Sequence, residues 1–480
     1  MLAQLPDSVS LELDADPQRL RQVELLCRAY SLADRTSLQP TAAGRTAWRF
    51  NGVSSAAPEW AVNGSPEAGP EGSMAEMVES LWPEEGGSSF TQKDDETLTG
   101  HRIAIVTNLP AHYRIPLFTG LSRRLDAAGA VLRVFFLGAT ARGRSWLSAR
   151  EGLDFDHEYT RSISLPIRRR RAPFLPFNLR RLLTSFDPTI ILAAGFSPFS
   201  AIEAALYARR RRIAFGIWSG ETPSLAPRGK RTVWMRAERS WLARRANFGI
   251  AYGSLAARYL RSLAPELPVV VGRNTSVAAV ADSRDGASAR EASDLLELVA
   301  VADLSVPGKG IETVVEAVEL LPELACRLSV IGGWPGEGSK LEAAARGGRV
   351  RFLGPLDHAD VIAAYRGSDV FLFPSLVDPF GLALVEGMAS ELAVVTSPAP
   401  GAVADLAVSG HNCLMAEPRS ARSWADQIAM LVSDEGLRHA IARRARETIA
   451  RRWTTAHAVE AMTAGLRLGA LTAAGEPRTR

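Results

Sequence analysis

Two carboxylates stand eight positions apart in the segment Asp378-Pro379-Phe380-Gly381-Leu382-Ala383-Leu384-Val385-Glu386. The apolar residues 370–373 ahead of them predict a buried strand, Pro374 and Ser375 a turn, and the rest a helix. With about 1.5 Å of rise per helical residue, Glu386 projects from the second turn while Asp378 hangs from the loop, so both can face one ligand. The backbone N–H groups of Phe380, Gly381 and Leu382 fall at the helix start. Unpaired donors and the positive dipole end suit phosphate or sugar oxygens there, and Gly381 permits a close approach to the backbone. The competing reading is an ordinary strand-to-helix loop with two solvated acids; local physics leaves both open.

Lys309 adds matching chemistry. It lies between Gly308 and Gly310 in the loop 302–310, which follows the apolar run 295–301. The glycines free the backbone, and the ammonium is a mobile cation for a diphosphate. A Walker loop is excluded, because no Ser or Thr follows Gly308-Lys309 and no glycine stands upstream at the required spacing. In the N-terminal half, the continuous apolar run 103–107 predicts a parallel strand, and its loop ends in His112-Tyr113-Arg114. Loops after strands are where open α/β sheets bind ligands. Arg114 suits a phosphate or an acid on an acceptor, and His112 titrates in the range useful for carrying a proton. The competing reading is that Tyr113 and Arg114 only cap the following helix, which carries Leu117, Leu121 and Leu125.

The elements that must position these groups alternate between strand and helix. Further strands are predicted at 131–137, 189–194, 213–218 and 248–253, then at 295–301, 327–331, 351–354, 370–373 and 393–396, with a linker rich in Ser, Asp, Arg and Ala at 281–292. Such alternation predicts parallel α/β units.

Here the sequence resembles a family. The acid-x7-Glu segment ending at Glu386 is similar to the signature of the retaining glycosyltransferases of family 4, and the similarity runs from about Arg102 to Trp453. The resemblance implies an α/β fold of two facing Rossmann-like domains (GT-B) with a central cleft. It implies domains at 101–280 (acceptor) and 290–445 (nucleotide sugar), and a C-terminal helix over 446–480 that crosses back to the first. It implies that Glu386 holds the nucleotide ribose, that Asp378 contacts the transferred sugar, and that the amides of Phe380, Gly381 and Leu382 hold sugar hydroxyls and diphosphate. By the same resemblance Lys309 neutralises the diphosphate, Gly332 and Gly333 form the turn beneath the nucleotide, and the strand of Arg351 and Leu353 reads the base edge. His112, Tyr113 and Arg114 match a subgroup's first loop and, with Ser219 and Glu221, form the acceptor side. The chain departs from the family pattern in four places. Asp378 stands for the usual Glu, Ser219 for a His, Asp303 or Leu304 for an Arg that accompanies the Lys, and Pro400-Gly401 for Gly-Gly. The implied function is retaining transfer of a sugar from a nucleotide-diphosphate sugar to an acceptor hydroxyl on a glycan, lipid-linked or small-molecule acceptor, with no metal and no further cofactor. The alternatives are a catalytically weak nucleotide-sugar-binding partner or a nucleotide-sugar epimerase on the same fold.

Composition sets outer bounds. The chain has 480 residues, 46% of them hydrophobic and 22% charged, which fits a globular class with room for large cores. Residues 1–100 hold 16 acids against 7 basic residues, a balance of −9 that leaves +13 on residues 101–480. The basic body suits phosphorylated substrates or an anionic surface. Arg168, Arg169, Arg170 and Arg171, followed by apolar residues, suit peripheral contact with anionic lipid; solvation of helix faces is the competing account. Nucleic acid is not expected, since stacking aromatics and a binding fold for it are missing. The three cysteines, Cys27, Cys326 and Cys413, are widely spaced and show no CxxC, which points to a reducing compartment. A cytoplasmic location is expected, with peripheral membrane contact as an option. Residues 1–100 are expected to form one helix, from Asp16-Pro17 through Tyr30, and then a poorly ordered extension.

Overall fold

The computed structural model describes residues 8–12, 36–40, 46–51, 96–139, 152–164, 174–197, 199–223, 230–276, 295–322, 326–334 and 339–474. Near the N-terminus, β1 (Ser8–Glu12), β2 (Thr36–Pro40) and β3 (Thr46–Asn51) form an antiparallel sheet in the order β1-β3-β2. Strands β2 and β3 stand where a poorly ordered extension is expected from composition. The alternation Trp48-Arg49-Phe50 is the overlooked two-residue period. The expected helix at residues 16–30, the linker at 281–292 and the arginines at 168–171 lie outside the described residues.

The first α/β unit contains β4 (Arg102–Thr107), β5 (Val131–Phe136), β6 (His157–Tyr159), β7 (Ser162–Ser164), β8 (Phe174–Pro176), β9 (Ile190–Ala194), β10 (Ala214–Ser219), β11 (Phe248–Ala251) and β12 (Val269–Val271). Strands β7 and β8 pair as a small antiparallel hairpin, and the other seven form a parallel sheet in the order β12-β11-β10-β9-β4-β5-β6. The second unit is a six-stranded parallel sheet of β13 (Leu296–Val301), β14 (Cys326–Ile331), β15 (Val350–Gly354), β16 (Val370–Phe373), β17 (Ala393–Thr396) and β18 (Leu414–Met415), ordered β15-β14-β13-β16-β17-β18.

The unbroken apolar runs follow from helices covering both faces of each sheet. In β4, Ala104 and Val106 enter one core while Ile103 and Ile105 enter the other. In β13, Leu298 and Ala300 pack on one side and Val299 on the opposite side. Both sheets reverse their order beside their first strand, between β4 and β9 and between β13 and β16. Open sheets take ligands in the crevice at the carboxyl ends of such strands.

The chain returns to the first unit later than the sequence reading placed it. Helix Glu435–Arg452 still packs on the second unit through Ile441, Ala442, Ala445 and Ile449. The crossing falls at Trp453, and helix Thr455–Ala474 then lays Ala458, Met462, Leu466 and Ala470 into the core beneath β4 and β11. The spacing of four keeps those side chains on one face. Gly465 and Gly469 let the helix sit close, since a Cβ there would come within 2.6 Å of Ile250 and of Phe248 respectively.

Candidate active site

In the second unit the loops after β13 and β16 meet at the order reversal. The amide of Leu376 donates to the carbonyl of Gly308 at 2.7 Å. Gly310 has φ +70°, and a Cβ on it would lie 2.2 Å from the Pro374 carbonyl oxygen, so the two loops touch backbone to backbone. This brings Lys309 to Asp378: Nζ donates to Oδ2 at 2.6 Å, with both side chains largely covered. An ammonium carries three N–H donors, so donors remain for a phosphate while Asp378 aims the lysine. The sequence reading gave the pair separate tasks, sugar and diphosphate; the fold joins them.

Asp378 also shapes the start of the next helix. Its Oδ1 accepts from the Phe380 amide at 3.2 Å, and its carbonyl from Gly401 at 3.2 Å. Phe380 N–H is therefore committed, a correction to its expected role as a ligand donor. The amides of Gly381 and Leu382 make no hydrogen bond among the described residues. Gly381 (φ +101°) caps helix Leu382–Ala389 in the left-handed region that favours glycine. The Phe380 ring is buried and stacks on Trp453, with centroids 5.9 Å apart.

Glu386 lies on the second turn of that helix, as its spacing predicts. Its Oε1 accepts from Ser276 Oγ at 2.7 Å, and its Oε2 from the Tyr365 hydroxyl at 3.4 Å. Burial pushes its carboxyl above the usual range, opposed by the Ser276 bond, the charge of His358 and the Tyr365 bond. Burial and the adjacent Glu386 charge push the Tyr365 hydroxyl well up. Gly332 (φ +112°) sits against the Ala302 carbonyl, where a Cβ would come within 2.4 Å, and Gly333 packs on Leu304. That turn thus closes against the loop of Lys309. Asp303, near the place of the missing Arg, accepts from the Ser305 amide at 3.1 Å and holds the loop's turn. On β15, Arg351 is exposed and Leu353 is 38% exposed. Trp334, 67% exposed, lies across Gly354, where a Cβ would meet its ring at 2.5 Å.

The seam between the units is built from groups far apart in sequence. The Trp453 indole donates to the Asn274 carbonyl at 3.0 Å. Asp405, on the short helix Val403–Leu406 of the second unit, accepts from the Ser254 amide at 3.1 and 3.0 Å, and so caps helix Ser254–Leu263 of the first. Burial raises the Asp405 carboxyl to about 6, against the pull of Ser254 and Arg258. The His112 and His358 rings lie with centroids 4.7 Å apart, their planes tilted by 36°.

In the first unit, Arg114 ends a short 3-10 turn and is the N-cap of helix Ile115–Ala127. Its Nη1 donates to Thr107 Oγ1 and its Nη2 to the Tyr252 hydroxyl at 2.5 Å, while the guanidinium lies 4.7 Å from the Trp218 ring centre and 5.6 Å from that of Tyr113. Such cation–π contacts are worth about 0.5–2 kcal/mol. The neighbouring tyrosines hold its pKa up against burial. Ser219 is buried and accepts from the Glu221 amide at 3.1 Å. Glu221 pairs with Arg239 at 2.6 Å; burial pushes its carboxyl up and Arg239 pulls it back. Arg239 in turn donates to Tyr259 at 3.1 Å.

Residues 289–448 match the family model described as glycosyl transferases group 1. Over 190 residues the chain is 27% identical to the D-inositol 3-phosphate glycosyltransferase of Corynebacterium glutamicum, covering 36% of this chain and 45% of that protein. It is 30% identical over 97 residues to the capsular polysaccharide biosynthesis glycosyltransferase CapM of Staphylococcus aureus, covering 20% and 25%. The matches span less than half the length of these curated relatives. By fold, the chain is similar to sucrose-phosphate synthase from Thermosynechococcus elongatus (TM-score 0.59, 17% identity, 78% of this chain and 100% of that one). It is also similar to Anabaena HepE in complex with UDP (TM-score 0.58, 17% identity, 76% and 99%). The fold is GT-B, as the sequence resemblance implied.

Of the residues expected from the sequence, the fold brings Lys309 and Asp378 together and seats Glu386 on groups the sequence did not point to. Ser276 and Tyr365 carried no signal, because they reach Glu386 across 110 and 21 residues. Trp334 did carry one, as an aromatic directly after Gly332-Gly333.

Proposed function

We propose that the protein is a retaining glycosyltransferase that moves a sugar from a nucleoside-diphosphate sugar to an acceptor hydroxyl. The observation that carries this reading is the Lys309–Asp378 pair at the second unit's order reversal, 2.6 Å apart, with the Gly381 and Leu382 amides beside it. The remaining Lys309 donors and those amides take the diphosphate. Glu386 takes the ribose, Trp334 and the edge of β15 take the base, and Asp378 takes a sugar hydroxyl. The acceptor enters from the loops after β4 and β10. Its hydroxyl oxygen bonds to the anomeric carbon from the face the leaving group vacates; the carbon–oxygen bond to the phosphate breaks, and the acceptor proton passes to the departing phosphate oxygen. Preorganised donors around that oxygen stabilise the developing charge, and removing one such donor typically costs 10²–10³ in rate. The UDP bound by Anabaena HepE makes a uridine donor the first to try.

Among the described residues no helix is long and apolar enough to cross a membrane. Peripheral contact with anionic lipid through Arg168 to Arg171 is part of the proposal. Phe177, 62% exposed, shares a recess with Arg180 and Arg181, which adds support nearby. Liposome co-sedimentation unchanged when Arg168 to Arg171 become Ser would remove that part.

The test of the transfer reading is radiolabelled sugar transfer from a panel of nucleotide sugars, with Glu386→Ala alongside. Donor-dependent product that falls sharply in the variant is expected. Equal turnover in both proteins defeats the residue assignment. Nucleotide-sugar binding without transfer to any acceptor points to a binding partner, and interconversion of the sugar points to an epimerase.

A further inference from the structure

The carboxylate that holds Lys309 is itself held from the seam between the two units. Asp378 Oδ1 accepts from the Phe380 amide at 3.2 Å, and the Phe380 carbonyl accepts from the Ala402 amide at 2.7 Å, so the acid follows the backbone at residue 380. That backbone is anchored by its ring. The ring is 3% exposed and lies nearly parallel to Trp453, with 14° between planes and centroids 5.9 Å apart. It also meets the first unit at Gly253, the N-cap of helix Ser254–Leu263. A Cβ on Gly253 would come within 2.9 Å of Phe380 Cε2, and closer still to Asp405 Oδ2. The backbone of Gly253 is extended, φ −162°, which any residue adopts. What excludes a side chain there is the occupant of the space alone. Trp453 is the residue at which the chain crosses back, and its indole donates to the Asn274 carbonyl at 3.0 Å, just past β12. The Phe380 ring thus fills a socket with one wall from the first unit and one from the crossing.

We propose that Phe380 is a positioning residue for the Asp378–Lys309 pair, and that the first unit sets the pair through the socket at Gly253. That the pair meets the sugar donor rests on the glycosyltransferase reading; the link from socket to pair does not. Gly253 and Trp453 fix the ring, the ring fixes the amide of residue 380, the amide fixes Asp378 Oδ1, and Oδ2 aims Lys309 Nζ. Close-packed interiors have low compressibility and transmit strain, so a methyl group added at Gly253 acts on a charge pair in the other unit. Misplacing a reacting group by about 1 Å can cost about 10²-fold in rate.

The test exploits the rarity of lysine. The chain has four, Lys93, Lys230, Lys309 and Lys340. NMR of the full chain, isotope-labelled at lysine Cε, therefore gives few signals, and that of Lys309 is assigned by its loss in Lys309→Arg. Phe380→Leu and Gly253→Ala, which leave residues 309 and 378 unchanged, are each expected to move the Lys309 signal while the other three stay in place. In the transfer assay both should lower kcat about ten- to a hundredfold, by more than they raise the KM for the nucleotide sugar, because the donor-binding groups themselves remain. Should Gly253→Ala fail to fold, Trp453→Ala takes its place, with Trp453→Phe as the conservative variant: it keeps a stacked ring and is expected to hold the Lys309 signal where wild type has it. A Lys309 signal unmoved in either folded variant overturns the proposal and leaves Phe380 as packing for the seam. The two readings fail separately. A signal that moves in a protein transferring no sugar defeats only the catalytic reading, whereas full transfer with an unmoved signal in both variants defeats only this inference.

Discussion

The two sheets reverse their order in the same way and place a cation at the reversal, yet the two cations are treated oppositely. Lys309 is paired with Asp378 at 2.6 Å, from a loop that is itself stitched to the lysine's loop. Arg114 is surrounded by a threonine, two tyrosines and a tryptophan, and no carboxylate among the described residues balances it. A similar contrast runs through the helix starts of the first unit: helix Ser254–Leu263 has its positive end capped by Asp405 from across the seam, while helix Ile115–Ala127 begins at Arg114 itself.

The largest effect expected is at the paired site. Lys309→Met leaves Asp378 without its cation and removes the side-chain donor to the leaving phosphate, so transfer falls roughly 10²–10³-fold. The same assay on Arg114→Met with a neutral acceptor should change far less, and equal losses would erase the contrast. Next, Gly310→Ala forces a left-handed residue and a Cβ 2.2 Å from the Pro374 oxygen. A cost of about 2–4 kcal/mol in urea unfolding of the second unit is expected, and an unchanged midpoint would mean the two loops are not held together as described.

The third prediction concerns the capped helix. Asp405 in the folded chain titrates near 6, above its ordinary value, so the folded state holds a proton that the unfolded state has already released. Wild type therefore loses stability relative to Asp405→Asn as pH rises from about 4 to about 6, by about 3 kcal/mol in total. Melting temperatures of both proteins across that range test it, and a constant difference would show that the carboxyl is not buried at the seam. The smallest effect is that of Ser276→Ala, which removes a bond to the Glu386 carboxylate for a cost of about 1–2 kcal/mol. Because that bond holds the Glu386 pKa down, its loss moves any acid limb set by Glu386 to higher pH. A pH–rate profile identical to wild type would count against Glu386 as the group bonded there.

What was legible reflects how far each interaction reaches along the chain. The loop and helix around Asp378, Gly381 and Glu386 are one contiguous stretch, and their helical spacing survives in the fold. The central strands of both sheets, such as β4 and β13, were readable because each buries both faces. The hairpin β7–β8 and the edge strands β6 and β12 are three residues long each, too short for periodicity to register. The domain boundary placed at 446 moved to Trp453 because the Arg-rich helix before it keeps an apolar stripe, Ile441, Ala445 and Ile449, on the second unit.

By itself the sequence determined the alternating α/β units, the glycines that let loops touch, and the identity of the cations and acids at the sheet edges. These depend on local steric freedom and on side-chain period. Only the tertiary structure decided which charges meet. Lys309 finds Asp378 across 69 residues, Glu386 finds Ser276 across 110, and Arg114 finds Tyr252 across 138. The physical reason is that a charge's behaviour is set by what surrounds it within a few ångströms, and in a parallel sheet with a reversed order those neighbours come from strands far apart in the chain.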